Sequence, residues 1–224
     1  MKMKNIILTI LFLFPSLMFG QTYKFYQTEN YHNQLRLNSA TGEVLQVQDD
    51  GQSWVLCYDI VSEGGKSGRF SLYATQNMWT YILLDTYTGR TWQVQYSVEG
   101  EEYQFTIPIN AYSYLTFDEY YNHDCDMSNR FQLFETQNMW TFILLDSFDG
   151  RLWQLQYSVD SDDDYRFCIP INTVKLVDNS RRSIFYIQPL VSMFQYYLIN
   201  DANGCMWKFQ WSTKDDDYRW IEAL

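Results

Sequence analysis

Residues 75–97 read TQNMWTYILLDTYTGRTWQVQYS, and residues 136–158 read TQNMWTFILLDSFDGRLWQLQYS. The differences are mild, as at Tyr81 against Phe142 and Val94 against Leu155. Anchored on the glycine of this segment, the pattern extends in both directions. Gly42, Gly89, Gly150 and Gly204 follow one another at spacings of 47, 61 and 54 residues. Self-similarity at such a period marks a repeat architecture, in which each unit covers the apolar face of the next. The repeats fall at about 22–62, 69–110, 130–172 and 182–224.

Each repeat parses into four short strands. In the second repeat they are RFSLYAT (69–75), TYILLD (80–85), TWQVQYS (91–97) and YQFTIPI (103–109). The second strand is almost continuously apolar, which predicts burial on both faces. The third alternates Trp92, Val94 and Tyr96 with Gln93 and Gln95, the period of a strand with two distinct faces. Pro108, matched by Pro170, cannot donate to a ladder and marks the fourth strand as an edge. Between the second and third strands, Asp85, Asp146, Asn38 or Asn200 stands four residues before the glycine and caps its own turn. The glycine supplies the positive φ that closes it. This role, rather than catalysis, is expected of Asp85 and Asp146.

The expected fold is all-β: a repeat protein of four antiparallel four-stranded units arranged as a four-bladed β-propeller. The alternatives are a β-sandwich or an open stack of meanders. The D-x-x-T-G-x-x-W form of Asp85–Trp92 also resembles the hairpins of quinoprotein-type and similar propeller blades. The resemblance implies blade-like geometry, and nothing about quinones, metals or catalysis.

Residues 1–20, MKMKNIILTILFLFPSLMFG, have the layout of a secretory signal peptide: Lys2 and Lys4, an apolar stretch from Ile6 to Phe14, and the small Gly20. The apolar run is shorter than the ~20 residues of a membrane span, and no cysteine near the cut offers a lipoprotein anchor. An exported chain starting near Gln21 is expected, periplasmic or extracellular, forming a single domain over 21–224. The formal charge is −11, or −13 without Lys2 and Lys4. That sign repels nucleic acid and anionic membranes. Cys57, Cys125, Cys168 and Cys205 allow one or two disulfides in an exported chain, and the absence of a CxxC gives redox or zinc chemistry no support.

A propeller sorts its loops onto two faces. The turns between first and second strands carry Asn77-Met78-Trp79 and Asn138-Met139-Trp140, with His32 and Phe194 at the position of the tryptophans. They share a face with the acidic turns EGEE (99–102), DSDDD (160–164) and KDDD (214–217). The opposite face carries the hairpin turns and the connectors, of which 111–129 is the longest, with Tyr112, Tyr114, Tyr120, Tyr121 and His123. Long loops on a rigid scaffold concentrate function. Trp92, Trp153 and Trp207 are expected in the core. Trp79 and Trp140 either pack at the rim or offer flat faces to sugar rings. The candidate ligand-binding residues are therefore Trp79, Trp140, Asn77, Asn138, Phe194, Tyr120 and Tyr121. Gln48, Gln95, Gln156 and Gln210 occupy one position in all four repeats, and a hydrogen-bonded ladder between blades is expected of them.

No cofactor or metal is expected. The acidic turns lack the spacing of a calcium loop, and His123, Asp124, Cys125 and Asp126 are too close in sequence to converge on one ion. No GxSxG, HExxH or phosphate-cradling loop is present. The expected function is non-catalytic binding, with a glycan as ligand. The alternative is an acidic protein-interaction module, an inhibitor, immunity or envelope assembly factor, meeting a basic partner. Glycoside hydrolysis stands third, because a carboxylate pair needs only spatial proximity.

Overall fold

The computed structural model describes residues 21–63, 65–121, 126–159, 165–177, 184–214 and 218–224. The expected signal segment, His123 to Cys125, the turn 160–164 and Asp215 to Asp217 lie outside them.

The chain is an all-β repeat protein of four antiparallel four-stranded sheets, each a meander in sequence order. Sheet I contains β1 (Tyr23–Gln27), β2 (Asn33–Asn38), β3 (Val44–Gln48) and β4 (Ser53–Cys57). Sheet II contains β5 (Phe70–Ala74), β6 (Thr80–Asp85), β7 (Thr91–Gln95) and β8 (Phe105–Asn110). A one-turn helix, α1 (Phe117–Tyr121), follows in the long connector. Sheet III contains β9 (Phe131–Glu135), β10 (Thr141–Asp146), β11 (Leu152–Gln156) and β12 (Phe167–Asn172). Sheet IV contains β13 (Phe185–Pro189), β14 (Gln195–Asn200), β15 (Met206–Gln210) and β16 (Trp220–Ala223). Pro108 and Pro170 sit on outer edge strands, as their missing N–H requires. Beside each, the register slips by one residue. Asn110 and Asn172 beyond the slip donate to the Gly89 and Gly150 carbonyls.

These sheets are propeller blades, and each packs face to face on the next. Leu35, Leu37 and Val44 of sheet I meet Phe70, Leu72, Leu83 and Val94 of sheet II. The other face of sheet II, with Ile82 and Leu84, meets Phe131, Leu133, Leu144 and Trp153 of sheet III. Ile143, Leu145 and Leu152 then meet Phe185, Leu198, Phe209 and Trp211 of sheet IV. Each fully buried leucine contributes roughly 1.5–3 kcal/mol. Strands β6 and β10 are buried at every residue, whereas β2 and β14 alternate. The second strands of the first and last sheets have a neighbour on one side only among the described residues. Among the described residues, no core cluster joins sheets I and IV.

Polar bonds fix the junctions. The residue after each second strand takes a hydrogen bond from the first strand of the next blade: Phe70 N to Ser39 O, Phe131 N to Thr86 O and Phe185 N to Ser147 O, at 2.8–2.9 Å. The Ser39, Thr86 and Ser147 hydroxyls meanwhile donate to the carbonyls of Thr22, Arg69 and Arg130, the residues just before their own blade's first strand. Between blades, a glutamine amide does the work of a strand edge. Gln46 donates to Ser97 O and accepts from Ser97 N, and Gln93 does the same with Ser158. Gln154 accepts from Ser212 N. The expected ladder is therefore real but displaced by two residues. Gln95, Gln156 and Gln210 instead donate to the Tyr103, Tyr165 and Tyr218 carbonyls of their own blades. They point to the same side of the strand as the ladder residues, but stand at its end.

The disulfides that the sequence allows are not formed by the described cysteines: Cys57 on β4, Cys168 on β12 and Cys205 in the turn before β15 are free thiols. Burial pushes Cys57 up to about 11 and Cys168 up to about 12, so neither is a thiolate at neutral pH.

The hairpin glycines separate two costs. Gly89 has φ of 77°, and a Cβ there would stand 2.9 Å from Phe131 of the next blade. Gly204 has φ of 73° with nothing within 4 Å. Gly204→Ala should cost about 1–2 kcal/mol from the left-handed backbone alone. Gly89→Ala should cost a further ~1–3 kcal/mol of overpacking. Chemical denaturation of both variants checks this, and equal losses would remove the junction from the account.

Candidate functional site

The repeated Thr-x-Asn segment builds its own turn. Thr75 Oγ1 donates to the Thr80 carbonyl and accepts from Asn77 N, at 2.9 and 3.1 Å. Asn77 Oδ1 accepts from Trp79 N at 3.0 Å. Thr136, Asn138 and Trp140 repeat the arrangement, and Thr28, Asn30 and His32 follow it in the first blade. Asn77 and Asn138 are thus committed to backbone. The side chain after the turn then packs on the end of its own third strand. Trp79 lies 5.1 Å from Tyr96, Trp140 5.3 Å from Tyr157, and Phe194 4.9 Å from Trp211, centroid to centroid. All three are half-buried, not open platforms. The same backbone bond underlies each pair, from Tyr96 N to Trp79 O, Tyr157 N to Trp140 O and Trp211 N to Phe194 O.

The first blade keeps that bond, from Asp49 N to His32 O, and changes the chemistry. Its aromatic pair becomes an imidazole and a carboxylate, His32 Nδ1 to Asp49 Oδ2 at 3.0 Å and exposed. Around them a cleft of about 360 Å³ is lined by Asn30, His32, Asn33, Gln48, Asp49, Asp50 and, from sheet II, Val98. A smaller cleft of about 160 Å³ adjoins Trp79, Gln95, Tyr96, Glu99 and Tyr103. A third, of about 350 Å³, lies between sheets III and IV at Glu135, Gln137, Pro189 and Ser192. The turn face therefore holds several shallow clefts, the first and third of them between neighbouring blades and the second within sheet II. Its first cleft combines two carboxylates, three amides and an imidazole, a set suited to ammonium, guanidinium or hydroxyl donors.

Tyr120 and Tyr121 are elsewhere. They lie on α1 at the opposite, connector face, with Tyr121 64% exposed and Tyr120 half-buried against the core between sheets II and III. The candidate residues thus divide between two faces and do not form one site. Asp146 and Asp149 lie in a buried network on the connector face. Arg130 reaches Asp146 at 2.8 Å and Asp149 at 3.2 Å, and Arg151 reaches both at 2.9 Å. Glu119 of α1 adds ion pairs to Arg151 and Lys175. In sheet II, Arg69 and Arg90 hold Asp85 in the same way. Asp85 also caps its turn by accepting from Tyr87 N. Its turn role stands, and a buried ion pair that the sequence reading omitted is added to it.

No family model and no curated protein matches the chain. Among solved structures, it is similar to a protein from Lactobacillus plantarum, at 11% identity and a TM-score of 0.43, over 86% of this chain and 53% of that one. It is also similar to a putative 6-phosphogluconolactonase from Bacteroides fragilis, at 14% identity and a TM-score of 0.43, over 88% and 55%. The chain spans about half the length of these structures.

The network sets a pH response. Burial raises the Asp85 carboxyl, but hydrogen bonds and charge from Arg69, with Thr88 and Arg90, outweigh it and hold the group below the usual range. Burial likewise opposes ionisation of Glu119, and the Thr116 amide, Lys175 and Arg151 bring it down to about 2. Both contribute stability that is complete above the ordinary carboxylate range, about pH 4, and lost as pH falls through the folded value. Asp149 has the opposite sign, because burial and then Asp146 raise it. Glu119→Gln should lower the melting temperature at pH 7 and lower it far less at pH 2, where the folded-state carboxyl is already about half protonated. Equal losses at the two pH values would mean the charge is not what Glu119 contributes.

Proposed function

We propose that the protein is an exported, non-catalytic binding protein that takes its ligand on the turn face of the blades, and that the ligand is a basic segment of another protein. The observation that carries this reading is the first cleft. There the aromatic pair of the other three blades is replaced by His32 and Asp49, and Asp50 stands beside them in about 360 Å³. Glu99 and Glu102 are exposed on the neighbouring turn, so the field over this face is negative and favours an approaching cation. Exposed charges of this kind act chiefly on encounter and are screened by salt. A lysine- or arginine-rich peptide should bind by isothermal calorimetry at low salt and weaken about tenfold or more in high salt. Asp49→Asn should weaken it further at low salt only. Affinity indifferent to both changes rejects the acidic face as the site.

A second reading, glycan binding, has support in the smaller cleft, where Trp79, Tyr96 and Tyr103 stand with Gln95 and Glu99. Here Tyr103, 51% exposed, is the ring free to stack on a sugar. Trp79 is tied to Tyr96 and serves the fold. On this reading Tyr103→Ala abolishes binding on a glycan array at unchanged melting temperature. Trp79→Ala, by contrast, lowers stability by ~3 kcal/mol or more. Retained glycan binding by Tyr103→Ala would end this reading.

A further inference from the structure

The four blades make three junctions, and every junction has the same construction: the trailing face of one sheet against the leading face of the next. Among the described residues, the leading face of sheet I and the trailing face of sheet IV have no such neighbour. Both carry apolar side chains, although Gln34 and Arg36 stand on the first where Tyr81 and Leu83 stand in sheet II. Tyr23 is 52% and Phe25 60% exposed on the first, and Tyr186 is 40% exposed on the second, beside Tyr197, Ile199 and Met206. A terminal repeat that only caps a stack presents a polar outer face. Exposed aromatic clusters instead mark association.

Reading the repeat register across these two faces gives a specific match. In each junction a hairpin glycine takes the first-strand aromatic ring of the following blade, Gly42 with Phe70, Gly89 with Phe131 and Gly150 with Phe185. The corresponding residues at the ends are Gly204, with nothing near its Cβ position, and the exposed Tyr23. In each junction a glutamine of the third strand, Gln46, Gln93 or Gln154, meets Ser97, Ser158 or Ser212. The end residues at those positions are Lys208 and Asp50, a cation and an anion. The main-chain staple ends in Asp201 O and Tyr23 N, which no hydrogen bond joins among the described residues.

We propose that the trailing face of sheet IV receives the leading face of sheet I from a second copy of this chain, so that the protein self-associates head to tail through a fourth junction of the same kind, with Lys208 against Asp50. Such a contact is heterologous, and two or more copies complete each other's end blades. The occupant is a second copy because the matching surface is this chain's own at the glycine, staple and ladder positions, with opposite charges where the ladder changes residue type. The inference does not rest on the ligand proposed above, since neither the Asp49 nor the Tyr103 test reads association.

The experiment is sedimentation velocity of the purified protein over a concentration series, with Lys208→Asp and Asp50→Lys made singly. The wild type should form a species of at least twice the chain mass. Each variant alone brings like charges together and should associate about tenfold or more weakly. An equimolar mixture of the two variants should regain wild-type association, because every junction in it again pairs opposite charges. That recovery also shows that both variants are folded. A wild type that stays monomeric overturns the proposal, whether the faces then close on each other within one chain or serve a foreign partner. So do single variants that associate like the wild type, or a mixture that fails to recover.

Discussion

A four-stranded meander of this composition has two apolar faces and can cover neither by itself. Everything else in the molecule follows from how each sheet covers its neighbour. The junctions combine non-directional and directional terms. Leucine, isoleucine and phenylalanine supply the burial, which would tolerate some sliding. Gln46 and Gln93 do not, since each amide meets both main-chain groups of one serine and a shift would leave them buried without partners, while Gln154 makes only the accepting half, with Ser212 N, and its Nε2 has no partner among the described residues. The backbone bonds from Phe70, Phe131 and Phe185 fix the inner edge in the same way. Apolar area holds the stack together, and three amides set its register.

The ion pairs show the same division between inner and outer blades. Arg69 with Asp85, and Arg130 with Asp146, are buried at the starts of sheets II and III. Sheets I and IV have Asn38 and Asn200 in place of the aspartates, and Thr22 and Ile184 in place of the arginines. A buried carboxylate without its guanidinium would be costly, so the two positions change together. The neutral amide still caps the turn, as Asn38 and Asn200 do for Ala40 N and Ala202 N.

The repeat, its four strands, the glycine-closed hairpins and the proline edges were legible because each has a local cause: periodicity of two, a positive φ, a missing N–H. What was not legible depended on the third dimension. Alternation places Gln93 and Gln95 on one side of strand β7, but it carries no information about height. Only the packed neighbour shows that Gln93 is opposite Ser158 while Gln95 overhangs the turn. Arg69 and Asp85 are sixteen residues apart, and the strand register that joins them is not written in either residue. Trp79 and Trp140 stood in a turn, where no periodicity distinguishes inward from outward. Their partners Tyr96 and Tyr157 lie one residue beyond regular strands, so the aromatic pairs became visible only with the fold. The candidate site suffered most, since its expected residues came from two opposite faces.

The decay of the repeat at its two ends is therefore better treated as a signal than as drift. Inside the stack a position answers to neighbours on both sides, and sheets II and III accordingly agree almost residue for residue. At the ends one neighbour is gone, and the same positions are released from the packing constraint. Yet they have not become uniformly polar. Leu83 and Leu144 correspond to Arg36, which pairs with Glu43 and lies over the Tyr23 ring. Trp79 and Tyr96 correspond to His32 and Asp49, and Gln93 corresponds to Lys208. Charged or titratable side chains have replaced aliphatic, aromatic and amide ones at places where the backbone is unchanged. Charged side chains at such positions can discriminate between partners, and the proposed ligand cleft and the proposed fourth junction both draw on the end blades because there the fold no longer dictates the residue.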